Sequence, residues 1–403
     1  MTNKTLNLIK LDSLGEFCTS IINENQLDIF GITVHLKEGI QPETLQLAVN
    51  DLVKRLPFIN GCYEERFFTS YFKLLDSPPT VLKDTGVAFE PFYTKGNKNR
   101  LHVVYGDYYF KIQTTHTMLD GRGFSEVIKA LILRYFEKLG INISNTNIIS
   151  CQEIGNSEEA DDPYKKFCTK TKSAKPFTSG APRIAHQLER HADVAETISL
   201  KIKLSELKNL TKKEQVTISE YLMGHIFAAI AKERMEQKMP ITVYLPIDCR
   251  NFIPTKSLRN FIAEKIIIMP ETNDFSEMLL QIHSQLEHIT TPFVQQSIND
   301  REKLFRFVSC LPLPIRKKLY RLMDNSLDRS ITVCFSNLGL IKLPLELEEK
   351  INHIDFFVSP KSNWPYNIGC VATGNVLSLT ISHTLKSCPL TAELNARLPV
   401  IAE

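Results

Sequence analysis

The chain has 403 residues, and its 43% hydrophobic and 23% charged residues are typical of a soluble globular protein large enough for two domains. Intrinsic disorder of the whole chain is excluded, because it requires fewer apolar residues and a larger net charge. The 48 basic and 45 acidic residues leave a net charge of +3, which gives no indication of a nucleic-acid partner or of binding to a membrane surface.

The first part of the chain predicts alternating strands and helices. Runs of β-branched and apolar residues predict strands, and apolar residues spaced three and four apart predict helices. A Gly-Asp pair between two strand-like runs predicts a hairpin. The predicted elements, in order, are a strand at Leu27 to Leu36, a helix from Pro42 to Leu56, a hairpin of Leu101 to Tyr105 with Tyr108 to Thr115, and a helix from Phe124 to Phe136.

The second part of the chain repeats this mixed pattern. Thr217 and Glu220 form a capping box that predicts the start of a helix, and Asp274 with Glu277 predicts another. The remaining predicted elements are a helical stretch at Arg301 to Asp324, broken at Pro312 and Pro314, and strands at Ile241 to Pro246, Ile331 to Phe335, Ile354 to Val358, Ile368 to Ala372 and Val376 to Ile381.

The composition changes between Cys151 and Thr197, where an acidic run, a basic run and several prolines replace the regular periodicity. We interpret this stretch as the connection between two halves of similar size. The sequence therefore predicts a mixed α/β protein made of two α+β halves of similar size. The predicted division is an N-terminal lobe at 1–160, a connecting segment at 161–195 and a C-terminal lobe at 196–403.

The cysteines and the apolar stretches indicate the cellular compartment of the protein. Nine cysteines are scattered along the chain without a CxxC pair, so neither a zinc centre nor a disulfide framework is expected. No apolar stretch approaches the about 20 residues that a membrane span requires, and the N-terminus shows no signal-peptide core. We expect a cytoplasmic protein with reduced cysteines and no membrane span.

One local pattern carries candidate chemistry, since the common nucleotide-binding, zinc-protease and serine-hydrolase motifs do not occur in the chain. His116 follows a predicted hairpin strand, and Asp120 and Gly121 come four and five residues later. Catalytic groups often project from such strand ends, and a neutral imidazole accepts a proton at neutral pH. The alternative is a histidine satisfied within a turn, with Asp120 capping the next helix.

The run His116 to Gly121 resembles the HxxxDG motif of the chloramphenicol acetyltransferase-like superfamily, which includes alcohol acetyltransferases and condensation domains of peptide synthetases. Further family landmarks are similar to segments of this chain in the expected order: Leu45 to Asn60, Pro246 to Phe252, Ser336 to Gly339 and the closing hairpin Ile368 to His383. Condensation domains commonly have two adjacent histidines where this chain has Thr115 and His116, and the DFGWG segment of plant-type members does not occur. The resemblance therefore favours the stand-alone, alcohol acetyltransferase-like branch.

This resemblance implies a two-lobed pseudo-dimer in which each lobe is an α/β (α+β) sandwich and a tunnel runs between the lobes. His116 would act in the tunnel as general base. Asp120 and Gly121 would shape the loop that carries it, with Asp120 pointing away from substrate and paired with Arg250. Ser336 and Asn337 are candidates for lining the tunnel and donating to an oxyanion, and the alternative is that they stabilise a strand end.

The implied activity is an acyl-CoA-dependent O- or N-acyltransferase that needs no metal and no bound cofactor, with acyl-coenzyme A as co-substrate and a small-molecule alcohol or amine as acceptor. Two alternatives stay open: a condensation-type catalyst whose donor is carried by an acyl carrier protein, and a non-catalytic binding module of the same fold. The other histidines, His225, His283 and His288, are expected to be packed or solvated rather than ligands.

Overall fold

The structure is a computed structural model that describes residues 7–23, 27–90, 99–143, 146–169, 195–233, 240–269, 272, 274–361, 364 and 366–401. Most of the predicted connecting segment 161–195 lies outside the described residues, since these omit 170–194. The helices within the described ranges include none that is both long and apolar enough to cross a bilayer. All nine cysteines are described, and none of them is in a disulfide.

Three helices begin where the capping and proline signals of the sequence predict, at Pro42, Ile218 and Phe275, whereas the helical stretch predicted from Arg301 begins earlier, at Thr291. Glu220 N–H donates to Thr217 Oγ1 at 3.3 Å, and Glu277 N–H donates to Asp274 Oδ1 at 3.0 Å. The helices are α1 (Ser13–Ile21), α2 (Pro42–Arg55), α3 (Gly121–Lys138), α4 (Pro163–Phe167), α5 (Leu204–Glu214), α6 (Ile218–Glu233), α7 (Phe275–Glu287), α8 (Thr291–Val308), α9 (Leu313–Asp328), α10 (Leu345–Glu348) and α11 (Pro389–Arg397). The predicted break at Pro312 is confirmed, because α8 and α9 are separate helices on either side of it.

The strands include all those that the sequence predicts, together with several that it does not. Those missed are short, such as Leu8–Lys10, or carry charges within an apolar run, such as Ile262–Ile268. The strands are β1 (Leu8–Lys10), β2 (Ile29–Leu36), β3 (Gly61–Glu65), β4 (Ser70–Leu74), β5 (Leu82–Lys83), β6 (His102–Tyr105), β7 (Tyr109–Thr115), β8 (Glu196–Lys203), β9 (Thr242–Asp248), β10 (Ile262–Ile268), β11 (Val333–Leu340), β12 (Ile351–Val358), β13 (Tyr366–Thr373) and β14 (Val376–His383).

Two large sheets organise the fold. The first has five strands in the order β12-β2-β7-β6-β5, and the second has six in the order β10-β9-β11-β13-β14-β8. In the second sheet, β11 runs parallel to both β9 and β13, so the carboxyl ends of β9 and β11 lie at the same edge. A third, small sheet has the order β1-β4-β3.

Strand β12 crosses between the two parts of the chain. It comes from the second half of the sequence but pairs antiparallel with β2 and completes the first sheet. The residues just before it follow the same path, because Ile341, Leu343 and Leu347 are buried in the core of the first lobe. The predicted division into lobes at 160 and 196 assigns β12 to the C-terminal lobe and so does not include its pairing with β2. Periodicity in the sequence identifies a strand but not the strand with which it pairs.

Each large sheet has its own hydrophobic core. In the first, side chains of β2 and β7 pack against α2 and α3, with Val34, Leu45 and Leu131 fully buried. In the second, the sheet packs against α5, α6, α7 and α11. A smaller cluster, which includes Leu14, Ile247 and Phe261, joins α1 to the second sheet and so connects the two lobes at the place where the candidate site lies.

Candidate active site

A cavity of about 670 Å³ is enclosed by residues of both large sheets. Helix α1, β2 and β12 contribute one side, and β9 and β11 contribute the other. The apolar part of its lining includes Leu14, Phe17, Phe30, Leu245, Phe356 and Trp364. A largely apolar cavity of this size with a few polar groups is typical of small-molecule sites.

His116 follows β7 directly and lines this cavity. Its main-chain carbonyl accepts a hydrogen bond from Asn260 Nδ2 at 2.7 Å, and its ring Nδ1 lies 3.4 Å from Asn260 Oδ1. The imidazole also packs on Phe30, with 4.6 Å between the ring centroids. If Nδ1 donates to Asn260, Nε2 is the acceptor nitrogen, and it has no hydrogen-bond partner among the described residues.

Asp120 does not contact His116 and instead faces away from the cavity. Its Oδ2 lies 2.8 Å from Arg250 Nη1 and also accepts the N–H of Phe261 at 2.7 Å. Its Oδ1 accepts the N–H of Gly123 at 2.7 Å and so caps α3. The predicted pair of Asp120 with Arg250 is therefore present, and helix capping, the alternative role for Asp120, occurs together with it.

The glycines after Asp120 permit close contacts. A Cβ at Gly121 would lie 2.7 Å from Leu338 Cδ2 on the opposite wall of the cavity. A Cβ at Gly123 would lie 1.8 Å from the carbonyl oxygen of Leu258, which no real Cβ tolerates. The start of α3 thus approaches the main chain of the second half as closely as a glycine allows.

Ser336 and Asn337 lie in the middle of β11, just before its register shift, rather than at a strand end as expected, and both line the cavity. Asn337 uses its side chain locally, donating to Ser219 Oγ at 3.0 Å and accepting the N–H of Gly339 at 2.8 Å. Ser336 makes no side-chain hydrogen bond within the described part of the chain. The structure therefore separates the two candidates: Asn337 stabilises the irregular part of β11, and the Ser336 hydroxyl is available to a ligand.

Sequence reasoning missed the segment Ser257 to Phe261, which holds the motif loop in place. Arg250 donates to the carbonyl of Arg259 at 2.5 Å and to that of Ser257 at 3.0 Å. Asn260 N–H donates to the carbonyl of Met118 at 3.2 Å. The segment carries no recognisable pattern, and nothing in the sequence indicates that residues 140 positions apart meet here.

Asp28 is a second residue that the sequence analysis missed. It precedes β2, and the pairing of Ile29 with Thr115 places it across from His116. Asp28 lines the cavity, and its Oδ2 is buried without a hydrogen-bond partner among the described residues. Burial raises the pKa of the Asp28 carboxyl, and the charge and the backbone N–H of the nearby His116 oppose this rise.

The other buried charges at the cavity are paired. Glu264 Oε1 lies 2.7 Å from Arg301 Nη2, and Lys361 Nζ lies 3.0 Å from Asp324 Oδ1. Burial acts to raise the pKa of Glu264, but the charge and hydrogen bond of Arg301 lower it overall. These pairs neutralise each other, which leaves Asp28 as the lining carboxylate whose charge faces His116.

His225, His283 and His288 do not line the cavity. His225 packs between Tyr221 and Phe275, with ring centroids 4.5 Å from each. His283 is largely exposed and bonds to Glu220, and His288 is exposed at the end of α7. In the described part of the chain, no three metal-ligating side chains cluster along the cavity wall.

Comparisons with known proteins find similarity at the level of the fold. No family model matches the chain, and no curated protein is significantly similar to it in sequence. Polyketide synthase associated protein 5 from Mycobacterium tuberculosis superposes with a TM-score of 0.65 at 15% identity, over 99% of this chain and 98% of that one.

Two fungal structures are similar over nearly the whole chain. The TRI101 protein of F. graminearum, solved with coenzyme A and deoxynivalenol, has a TM-score of 0.60 at 12% identity, over 96% of this chain and 97% of its own. The TRI3 trichothecene 15-O-acetyltransferase of Fusarium sporotrichioides has a TM-score of 0.60 at 10% identity, over 98% of this chain and 95% of its own. The chain therefore has the two-lobed fold of acetyltransferases and condensation domains, as the resemblance to the chloramphenicol acetyltransferase-like superfamily predicts.

Proposed function

From this fold and from the cavity at His116, we propose that the protein is an acyltransferase that moves an acyl group from a coenzyme A thioester to an alcohol or amine. The observation that carries the proposal is the position of His116. Asn260 contacts both the ring Nδ1 and the main-chain carbonyl of His116. The other ring nitrogen, Nε2, has no such contact, and the histidine lines a cavity large enough for the reacting parts of two substrates. A supported base beside an enclosed, largely apolar space is what direct acyl transfer requires.

The proposed reaction needs one base and one oxyanion donor. His116 Nε2 accepts the proton of the acceptor O–H or N–H as the acceptor's lone pair attacks the thioester carbonyl. The electron pair of the carbonyl moves onto its oxygen, and we propose the hydroxyl of Ser336, which lines the cavity, as the hydrogen-bond donor to this oxyanion. When the carbonyl reforms, the C–S bond breaks, and the imidazolium returns its proton to the leaving thiolate.

Asp28 contributes to this scheme through charge. When His116 accepts a proton, a positive charge forms next to a buried carboxylate that has no other close partner at Oδ2. The Coulomb attraction between the Asp28 carboxylate and the protonated imidazole of His116 stabilises the transition state, in which His116 takes up the proton. Asp28, rather than Asp120, is therefore the acidic residue that we propose assists the base.

For the donor, the rim of the cavity offers basic side chains. Arg122 and Lys342 line the cavity and are exposed. Cations at such a mouth are suited to the phosphates of coenzyme A. We propose that the thioester enters the tunnel from one face and the acceptor from the other, so that both reach His116 without an acyl-enzyme intermediate.

A thioester-consumption assay tests the function and distinguishes its alternatives. The protein is mixed with a panel of acyl-coenzyme A donors and with alcohol and amine acceptors, and release of free thiol is followed. The proposal expects acceptor-dependent thiol release, and coenzyme A protecting the chain against unfolding by about 2.7 kcal/mol at a hundredfold excess over its Kd. Turnover only with donors bound to a carrier protein would favour a condensation-type catalyst. No turnover and no binding with any donor would favour a non-catalytic binding module of the same fold.

A further inference from the structure

A cluster of two histidines and an aspartate lies on the first sheet, well away from the cavity. His35 is on β2, and His353 and Asp355 are on β12. The pairing of the strands places His353 opposite His35 and Asp355 opposite Thr33. Because side chains two residues apart share one face of a strand, all three project from the same face of the sheet.

The three side chains converge on one point. His35 Nε2 lies 3.0 Å from Asp355 Oδ2, and His353 Nε2 lies 3.6 Å from the same oxygen. The two imidazoles stack, with 4.1 Å between centroids and 19° between planes. One ligand atom from each residue lies within 4.8 Å of the other two. In a tetrahedral zinc site with bonds of about 2.0 Å, two ligand atoms lie about 3.3 Å apart. The two N–O distances in the cluster, 3.0 Å and 3.6 Å, lie on either side of this value.

The carboxylate of Asp355 is oriented from its other side. Its Oδ1 accepts hydrogen bonds from Lys201 Nζ at 2.6 Å and from Ser199 Oγ at 2.7 Å, both on β8 of the second sheet. This leaves Oδ2 turned towards the two imidazoles. Outer partners that hold a ligating carboxylate in this way are a regular feature of metal sites.

We propose that His35, His353 and Asp355 form a zinc site, with a water molecule as the fourth ligand. Two imidazole nitrogens and one carboxylate oxygen are a ligand set that zinc prefers, and the three side chains are partly exposed, so an ion can enter. On binding, the ion takes the place of the hydrogen bond between His35 Nε2 and Asp355 Oδ2, and the proton of that bond is released to solvent. The expectation of no metal site, drawn from the lack of clustered ligands, overlooks this set because 318 residues separate His35 from His353.

The charges near the cluster do not prevent binding. Lys201 is the cation closest to it, and its ammonium group contacts Oδ1, the oxygen that the ion does not use. Lys111 on the neighbouring strand is neutralised by Asp84 at 2.9 Å. Tyr109, at 5.6 Å between its ring and that of His35, is an apolar wall.

The position of the site indicates a structural role. An ion there would join β2 to β12, the strand that crosses from the second half of the chain, and through Asp355 it would connect to β8 of the second sheet. Six residues of extended strand separate His35 from Ile29, which is about 20 Å at 3.4 Å per residue, so the ion is far from His116. The site is therefore independent of the proposed catalytic function.

The experiment uses the full chain without an affinity tag, stripped of metal with a chelator. Zinc is added in competition with a chromophoric zinc indicator, and thermal unfolding is followed in parallel. The variants are His35→Gln and His353→Gln, with His288→Gln as control because His288 is exposed and lies outside the cluster. Cobalt(II) in place of zinc reports the coordination number through its visible absorption.

The proposal expects one zinc per wild-type chain and per His288→Gln chain, a raised Tm on addition of zinc, and the spectrum of a four-coordinate cobalt ion. Loss of an outer partner costs up to about 100-fold in affinity, so each cluster variant should bind at least about 100-fold more weakly. Circular dichroism before addition of metal checks that the variants are folded. No stoichiometric binding by the wild type, or equal binding by the folded cluster variants, would overturn the proposal.

Discussion

Asp120 and Arg250 form a buried ion pair behind the wall that carries His116, with 2.8 Å between Oδ2 and Nη1 and no exposure of the Asp120 side chain. The pair joins the start of α3 in the first lobe to the end of β9 in the second. Arg250 also contacts Asp248 at 3.0 Å and two main-chain carbonyls. The motif aspartate thus links the two lobes at the site and does not line the cavity.

We predict that Asp120→Ala and Arg250→Ala each lower the free energy of unfolding by about 3–5 kcal/mol. Arg250→Ala leaves the buried Asp120 without its cation, and Asp120→Ala leaves Arg250 with Asp248 alone and removes the acceptor of the Gly123 and Phe261 N–H groups. Arg250→Ala should cost more, since it strands Asp248 as well. The double variant should lose much less than the sum of the two. Chemical denaturation of the four proteins measures this, with Lys350→Ala in the exposed Lys350–Glu38 pair as a control costing under about 1 kcal/mol. Strictly additive losses would contradict the prediction.

Asp28→Asn should separate activity from stability. Loss of the charge beside His116 is expected to lower kcat/KM by about tenfold, or about 1.4 kcal/mol in the transition state. Stability at pH 8 should rise, because a carboxyl whose pKa is raised on folding binds more protons in the folded state and so loses stability as pH increases. Measurements of kcat/KM and of chemical denaturation at pH 8 test the predicted loss of activity and the predicted gain in stability. A variant with unchanged kcat/KM would show that Asp28 has no part in the reaction.

Ser336→Ala and Asn337→Ala should behave differently although the residues are adjacent. Removing the Ser336 hydroxyl should lower kcat by about 10²–10³-fold with little change in Tm, because its role is to donate to the oxyanion. Removing the Asn337 amide should lower Tm, because it breaks the bonds to Ser219 and Gly339. Measurements of kcat and Tm for the two variants test this difference. Full activity in Ser336→Ala would show that the Ser336 hydroxyl does not stabilise the oxyanion.

His225 should make the fold sensitive to acid. Its side chain is buried with no partner for either ring nitrogen among the described residues, and burial, followed by the charge of Arg397, lowers its pKa to about 4. An unfolded histidine takes up a proton near pH 6.5. The folded state does not, so stability is lost as pH falls from about 6.5 to about 4.

His225→Phe keeps the aromatic packing with Tyr221 and Phe275 and removes the titration. The prediction is a smaller difference in urea midpoint between pH 8 and pH 5 than in the wild type. The same acid-induced loss in both proteins would show that other groups cause it.

The sequence predicts the local part of the site well. The strand that ends at Thr115, the turn with His116 and the helix that Asp120 caps are all specified within about 30 residues by alternation, a polar turn and apolar periodicity. The resemblance of the segment Pro246 to Phe252 to a family landmark also predicts Arg250 as the partner of Asp120.

The parts that sequence did not predict depend on long-range pairing. Asn260 meets His116 across 144 positions, and it follows no periodic pattern. Asp28 sits across from His116 because of the register between β2 and β7, and a shift of one residue would turn it to the other face. In the same way, β12 is visible as a strand but its place in the first sheet follows from tertiary packing.

The central claim, that His116 is the general base of an acyl transfer, is tested most directly by the turnover of His116→Ala with an acyl-coenzyme A donor and a competent acceptor. His288→Gln serves as a control with an exposed histidine removed. If His116 is the base, kcat falls by about 10²–10⁴-fold in His116→Ala, while folding is unchanged and coenzyme A still protects the protein against unfolding. Near-wild-type turnover in pure, folded His116→Ala protein would contradict it.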